Sequence, residues 1–196
     1  MAGGRSKRET EIKLRLSSAA QGRRLLKRAG FRLARRRTFE ANTIFDTPSR
    51  DLFAAGSLVR LRRSGRVHTL TFKGPAVFAK HKSREELELE VADAGALGQI
   101  FARLGFRPVF RYEKFRAEYA QPGHSGLVTL DETPVGVFLE LEGRPEWIDA
   151  TARRFGFAEA DYVTTTYAGL YFAYCRQRRR KPGDMVFARA RKRVLS

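Results

Sequence analysis

Two sets of side chains in this sequence have the types and the spacing to do chemistry. The acids Glu9, Glu11, Glu86, Glu88, Glu90, Asp131, Glu140 and Glu142 include pairs and a triplet spaced two residues apart. The bases Lys13, Arg15, Arg60, Arg62, Lys73, Arg111, Lys114 and Arg116 sit in segments of similar pattern. Spacing by two puts neighbouring charges on one face of a β-strand and the intervening residues on the other. Carboxylates with no histidine or cysteine at ligand spacing suit a hard divalent cation, Mg²⁺ or Mn²⁺, held in part by substrate phosphates. Guanidinium forks and ammonium groups suit phosphate oxygens. A site holding both sets is built for a metal-bound polyphosphate, where positioning and electrostatics supply most of the catalysis of phosphoryl or nucleotidyl transfer.

The elements that position these residues follow from the same alternation. In Glu9–Leu16 the charges at 9, 11, 13 and 15 alternate strictly with Thr10, Ile12, Leu14 and Leu16. A single half-buried strand of this kind would simply solvate its charged face. Similar mixed-sign faces return in Leu58–Arg63, Val67–Lys73, Arg84–Val91, Val109–Tyr119, Leu127–Asp131 and Val137–Glu142, which predicts that they converge on one another. Ser64-Gly65 and Pro134–Gly136 are turn signals between consecutive strands. Three times an acid-x-acid strand leads into a helix, then a Gly-Phe pair (30–31, 105–106, 156–157), then another strand. The predicted fold class is α+β, mainly antiparallel β: an eight-stranded closed β-barrel tunnel with a charged lumen and helices packed outside. Mixed charge in such a lumen is tolerable only when paired, hydrated or occupied.

Helices are expected from Ser17 or Ser18 to Ala29, from Asp93 to Leu104, from Pro145 to Phe155, and over Thr165–Tyr174. The alternation slips near Glu113-Lys114 and predicts a bulge there, which leaves the inward placement of Arg111 open. Residues 76–84 form a basic, weakly patterned connection that reads as a mobile lid. The segment from Arg176 lacks a core pattern and reads as a flexible tail, so residues 1–175 are expected to be the tunnel domain and 176–196 an appendage.

At 196 residues, with 42% hydrophobic residues and fifteen Phe, the chain is long and apolar enough for one globular domain. No apolar run is long enough for a membrane helix and none reads as a signal peptide, so no membrane partner is expected. A single cysteine, Cys175, excludes an intramolecular disulfide and a cysteine-rich zinc site, and a reducing cytoplasm is the expected compartment. The formal charge is +18, and a polyanionic partner is its natural reading. The basic tail adds a candidate contact for polyphosphate or nucleic acid, set against the plainer reading of a solvated charge run.

Glu9-x-Glu11-x-Lys13 resembles the ExExK signature of the CYTH superfamily, the triphosphate tunnel metalloenzymes. The resemblance extends through Phe45-Asp46-Thr47, Leu58-x-Arg60-x-Arg62, Thr71-Phe72-Lys73, Glu86-x-Glu88-x-Glu90, Lys114-x-Arg116, Leu130-Asp131, Phe138-x-Glu140-x-Glu142 and Thr166-Tyr167. It implies a tunnel enzyme for a triphosphate-containing small molecule and a divalent metal. By that resemblance Glu9, Glu11, Glu140 and Glu142 are metal ligands, with Asp131 a further addition. Lys13, Arg60, Arg62, Lys73, Lys114 and Arg116 are triphosphate ligands, and Glu88 orients those bases or assists the metal. Glu9, Glu11 and Lys13 are the expected catalytic centre.

The family includes triphosphatases and class IV adenylate cyclases, and the shared motifs do not choose between them. Hydrolysis of a triphosphate is the leading expectation, cyclisation of ATP the second, and a non-catalytic polyphosphate- or RNA-binding module the third. The eight acids speak against the third, because simple anion binding would be weakened by them. Arg15 reads as surface, Asp46-Thr47 equally as a turn or helix cap and as a ligand, and His68, His81 and His124 as surface or loop residues. Tyr167 reads as helix packing or as a group closing the tunnel mouth.

Overall fold

One strand closes the barrel by pairing on both of its edges. The computed structural model describes residues 7–188, and there β6 (Lys82–Glu90) pairs through its second half with β4 (Val67–Lys73) and through its first half with β1 (Lys7–Leu16). The remaining strands are β2 (Arg32–Asp46), β3 (Leu58–Ser64), β5 (Val77–Phe78), β7 (Arg107–Ala120), β8 (Leu127–Thr133), β9 (Gly136–Glu142) and β10 (Tyr162–Val163). Around the wall the order is β1-β9-β8-β7-β2-β3-β4-β6 and back to β1, antiparallel at every step. The two-residue strands β5 and β10 are attached to β6 and β1. The closed eight-stranded tunnel is therefore the architecture the alternation predicted.

The barrel is polar inside and apolar outside. Ile12, Leu14 and Leu16 of β1 point away from the charges of their own strand and join Val128, Leu130, Leu139 and Leu141 in one buried cluster. Helices α1 (Ala19–Arg28) and α4 (Pro145–Arg154) cover it with Leu26, Ala29, Ile148, Ala152 and Phe155. The main hydrophobic core thus lies between the outer wall and the helices. Ser18 caps α1 by accepting from the Gln21 amide. A Cβ on Gly22 would fall 2.7 Å from Leu130 Cδ1, so glycine lets α1 approach β8 closely. The helices α1, α3 (Ala94–Arg103) and α4 each end at the glycine of a Gly-Phe pair, with φ of +73°, +84° and +86° at Gly30, Gly105 and Gly156. That conformation favours glycine and gives the repeat its physical meaning. The short α2 (Asp51–Ala54) is capped by buried Asp46, which accepts from the amides of Thr47, Leu52 and Phe53. Asp46 is therefore a cap, the structural reading of its motif.

A second apolar cluster closes one end of the tunnel. Phe138 shares the inward face of β9 with Glu140, and Tyr112 that of β7 with Lys114. Both pack with Phe110, Ile44, Val135 and Met185 against Tyr167, Leu170, Tyr171 and Tyr174 of α5 (Tyr167–Gln177).

Three expectations change. The tail from Arg176 was expected to make no core contacts, but α5 runs on to Gln177 and Met185 is fully buried. The Met185 amide donates to the Arg111 carbonyl, its carbonyl accepts from the Glu113 amide, and the Phe187 ring packs 5.3 Å from that of Phe115. One methionine and one phenylalanine among eleven residues of arginine, lysine, glycine and proline type give no periodic signal, and an edge of β7 was what they needed. Residues 189–196 of that tail lie outside the described residues. Second, pairing runs without a break from Phe110 to Arg116, so there is no bulge at Glu113-Lys114; the register shifts fall at Phe110/Pro108 and near the start of β2. Arg111 consequently points outward, to Asp184. Third, the expected lid is strand from Lys82 onward, with Lys82 and Arg84 buried.

Met185→Ala is expected to lower unfolding free energy by about 2–5 kcal/mol, the usual cost of truncating a buried methionine. Urea denaturation checks this; a tail that merely drifts in solvent would give no change.

Candidate functional site

The inward faces of the eight strands bring most of the predicted acids and bases together in one lumen, but not Arg15, Arg111 or Glu90, which are exposed. Lys13 (2% exposed), Lys73 (5%), Lys82 (2%) and Lys114 (3%) are buried there. Such ammonium groups persist inside a protein only beside anions, and each has at least one. Lys73 Nζ donates to Glu9 at 2.5 Å and to Glu86 at 3.0 Å. Lys13 Nζ lies 3.1 Å from Glu11 and 3.6 Å from Glu140, and Lys82 Nζ donates to Glu11. Lys114 lies 3.1 Å from Asp131 and 3.6 Å from Glu40.

Strand register explains these meetings. Glu11 stands opposite Glu142, and Lys13 opposite Glu140, across β1 and β9. On the other edge Glu9 faces Arg84 and Glu11 faces Lys82. Arg60 donates to Thr71 (3.0 Å), Glu88 (3.3 Å) and Tyr112 (3.4 Å), and Arg62 lies 3.6 Å from Glu88. Glu88 thus orients both arginines, while Glu86, on the same face, takes Lys73. Arg116 makes a bidentate contact with Asp131 and a further bond of 2.6 Å to Glu140. Arg15 is exposed, as read, and lies over the Phe138 ring.

The electrostatics follow from burial opposed by pairing. Burial alone would raise the Glu9 carboxyl, but Lys73 holds it down at about 2. Its neighbour Glu86 is pushed up to about 7 by burial and by the Glu9 charge, against the pull of Lys73. Glu40 is held at about 2 by Lys114, Arg116, Arg62 and Arg60 despite burial. Asp131 and Glu140 also lie well below the usual carboxylate range, burial being overcome for Asp131 by Arg116 and Lys114 and for Glu140 by Lys13 and Arg116. Lys82 is pushed down by burial and by Lys13 and Arg84 beside it, with Glu11 opposing.

Asp131 is set apart from the expected metal ligands. It is fully buried and accepts from Lys114, twice from Arg116, and from the Tyr167 hydroxyl at 2.7 Å. Those bonds fill its lone-pair positions, so its place is that of an anchor for two cations. Tyr167 is accordingly a lumen residue, with Lys13 and Lys114 over its ring at 5.3 and 5.4 Å. The remaining acids Glu9, Glu11, Glu140 and Glu142 offer only oxygen, on two paired strands, which fits a hard divalent cation. Among the described residues no three carboxylate, histidine or cysteine groups converge into a ready cage. That donor set suits an ion that takes its other ligands from substrate and water.

Sequence reading missed Lys82, Arg84, Glu40, Asn42 and Tyr112. Alternation counted backward from Glu86 reaches Arg84 and Lys82, but the change from acid to base disguised the continuity. The loop before them is tied down: Asp149 of α4 accepts from Lys80 at 2.9 Å and Tyr162 at 3.0 Å, and contacts His81 at 2.8 Å. His81 thus has a partner that its sequence neighbours did not show.

Residues 7–167 match the CYTH domain family. The chain belongs to that family. A relative from Methanocaldococcus jannaschii, provisionally named an adenylate cyclase, is 31% identical over 134 residues, covering 68% of this chain and 75% of its own. Among solved structures, a provisionally named adenylate cyclase from Vibrio parahaemolyticus is similar with a TM-score of 0.74 at 19% identity, covering 85% of this chain and 98% of that one. A Hippeastrum protein, provisionally named an adenylyl cyclase and described as having dominant triphosphatase activity, is similar with a TM-score of 0.60 at 23% identity, over 89% of this chain and 98% of that one.

Because the folded Asp131 value is lowered, its anion adds stability above the unfolded value of about 4, and that stability is lost as the pH falls below it. Asp131→Asn removes the carboxylate that Lys114 and Arg116 share, leaving them only Glu40 and Glu140, and is expected to cost up to about 3–5 kcal/mol at neutral pH. Urea titrations from pH 7 to pH 3 are expected to show a shallower acid loss in the variant than in the wild type. Parallel pH curves would remove Asp131 from the account.

Proposed function

We propose that the chain is a divalent-metal-dependent triphosphatase whose substrate enters the lumen triphosphate first. The observation that carries this reading is the burial of four lysine ammonium groups, with Arg60 and Arg84, on the wall of one closed barrel. Ammonium and guanidinium groups from neighbouring strands match phosphate oxygens spaced along a polyphosphate. Lys13, Arg60, Arg62, Lys73, Lys114 and Arg116 are the proposed phosphate ligands, and Lys82 and Arg84 join them. The acids beside them keep the pocket from being a simple anion trap. Glu9, Glu11, Glu140 and Glu142 would hold Mg²⁺ or Mn²⁺, which when bound supplies charge neutralisation at the phosphates. Glu86 and Glu88 position Lys73, Arg60 and Arg62, and Asp131 positions Lys114 and Arg116. The apolar plug of α5 excludes water from one end, which strengthens each charge contact inside.

The second reading, conversion of ATP to cyclic AMP and pyrophosphate, is favoured by the name of the archaeal relative. Hydrolysis directs water at the terminal phosphorus, whereas cyclisation directs the ribose 3′-hydroxyl at the α-phosphorus. The triphosphate ligands serve both. The activity described for the Hippeastrum protein supports the first as a course open to this architecture.

Incubation with inorganic triphosphate, ATP and thiamine triphosphate, each with Mg²⁺ or Mn²⁺, is expected to release orthophosphate. Cyclic AMP with pyrophosphate from ATP would overturn hydrolysis in favour of cyclisation. Chelation by EDTA is expected to stop turnover and added metal to restore it. Glu11→Gln is expected to reduce metal-dependent turnover by at least about a hundredfold while circular dichroism stays that of the folded protein. Full activity in that variant would sink the metal site.

A further inference from the structure

The edge of β1 that closes the barrel is shared by two strands, and the handover falls inside the site. Pairing with β6 runs as far as Lys82 opposite Glu11, and β10 takes over with Val163 opposite Lys13. The seam in the wall therefore lies between a proposed metal ligand and a proposed phosphate ligand. Lys82 is the first residue of β6. Strand ends open readily unless something holds them, and this one carries a buried ammonium group that donates to Glu11.

Asp149 of α4 joins the two sides of that seam. Its Oδ1 lies 2.8 Å from His81 Nε2 and accepts from the Tyr162 hydroxyl at 3.0 Å, while its Oδ2 takes Lys80 at 2.9 Å. Lys80 and His81 come immediately before β6, and Tyr162 opens β10. The His81 and Tyr162 rings are neighbours, with centroids 6.0 Å apart. Burial would raise the Asp149 carboxyl, but the bonds from Lys80, His81 and Tyr162 keep it below its ordinary value. An ionised carboxylate only accepts, so the proton of the His81 contact sits on Nε2.

Alternation turns this outer contact into a constraint on the lumen. Consecutive residues of extended chain face opposite sides of a wall, so holding His81 towards α4 turns Lys82 towards Glu11. Arg84 follows on the inner face, 3.8 Å from Glu9. The lumen charges alone do not fix that register. Lys80, Lys82 and Arg84 are spaced by two, and a slip of two residues would still set bases opposite Glu11 and Glu9. Capture of Lys80 by Asp149, and by Glu159 at 3.0 Å, opposes that slip. We propose that Asp149 is a positioning residue for phosphate binding, which by holding Lys80, His81 and Tyr162 at the seam fixes the register that sets Lys82 and Arg84 in the lumen. This rests on the tunnel reading above and deepens it, since it adds a residue outside the lumen to the phosphate site.

The test is calorimetric binding of diimidotriphosphate, a slowly cleaved triphosphate, to the full chain with Mg²⁺. Asp149→Ala is expected to weaken binding by about tenfold. In a Lys82→Met background the same substitution is expected to weaken it by less than about threefold, because the main group it positions is gone. His81→Phe, which keeps a ring beside Tyr162 but loses the bond to Asp149, should weaken binding by about threefold, and it decides the matter if Asp149→Ala does not fold. A folded Asp149→Ala that melts earlier but binds as tightly as wild type has lost a structural contact only, and would overturn the positioning role. Equal losses with and without Lys82 would overturn it as well. Wild type that does not bind the probe would overturn the tunnel reading, and the positioning role with it.

Discussion

Every charge turned into the lumen has to be matched by another, and the rest of the structure answers to that constraint. Four lysines at 5% exposure or less would not stay ionised in an apolar interior. Closing the sheet makes the matching possible, because β6 brings Lys82 and Arg84 to the acids of β1 while β4 brings Lys73 to Glu9. The same closure removes sheet edges along the wall. Buried ion pairs are weak evidence for stability as such, since hydrophobic replacements often hold a fold as well or better. Their persistence here, on strand after strand, argues for a ligand whose charge they are arranged to meet.

The inversion of polarity sets where stability comes from. With its lumen given over to charge, the barrel draws its apolar burial from the outer wall beneath α1 and α4, and from the plug that α5 and Met185 make at one end. Leu26, Ile148 and Leu141, fully buried, each contribute on the order of 1.5–3 kcal/mol through area removed from water. Tyr167 joins the two regimes: its ring packs on Phe138 in the plug and its hydroxyl donates to Asp131 in the lumen. Movement of α5 would thus be felt at the anchor of Lys114 and Arg116.

Legibility in the sequence varied with how far a residue's role depended on its own strand. Glu9, Glu11 and Lys13 were readable because a period of two within one segment fixes a common face. Arg111 and Lys114 were not, because three residues apart they require the register to say which one turns inward, and pairing with β2 decided for Lys114. Lys82 looked like part of a basic loop until its partner Glu11, distant in sequence, was placed beside it. Glu40 and Asn42 gave almost no signal, because the segment Phe39-Glu40-Ala41-Asn42-Thr43 carries one charge and no charged-apolar alternation.

By itself the sequence determined the alternation, a helix cap at Ser17 or Ser18 and another at Asp93, the Gly-Phe stops and hence an antiparallel barrel with charge on one face. Those are local properties, set by backbone geometry and by side chains within a few residues of one another. Only the tertiary structure decided which carboxylate meets which ammonium, that Asp131 is saturated by Lys114, Arg116 and Tyr167, and that the chain beyond Arg176 returns to bury Met185. Those outcomes depend on register between strands far apart in the chain, and on low-dielectric contacts that exist only after the barrel has closed.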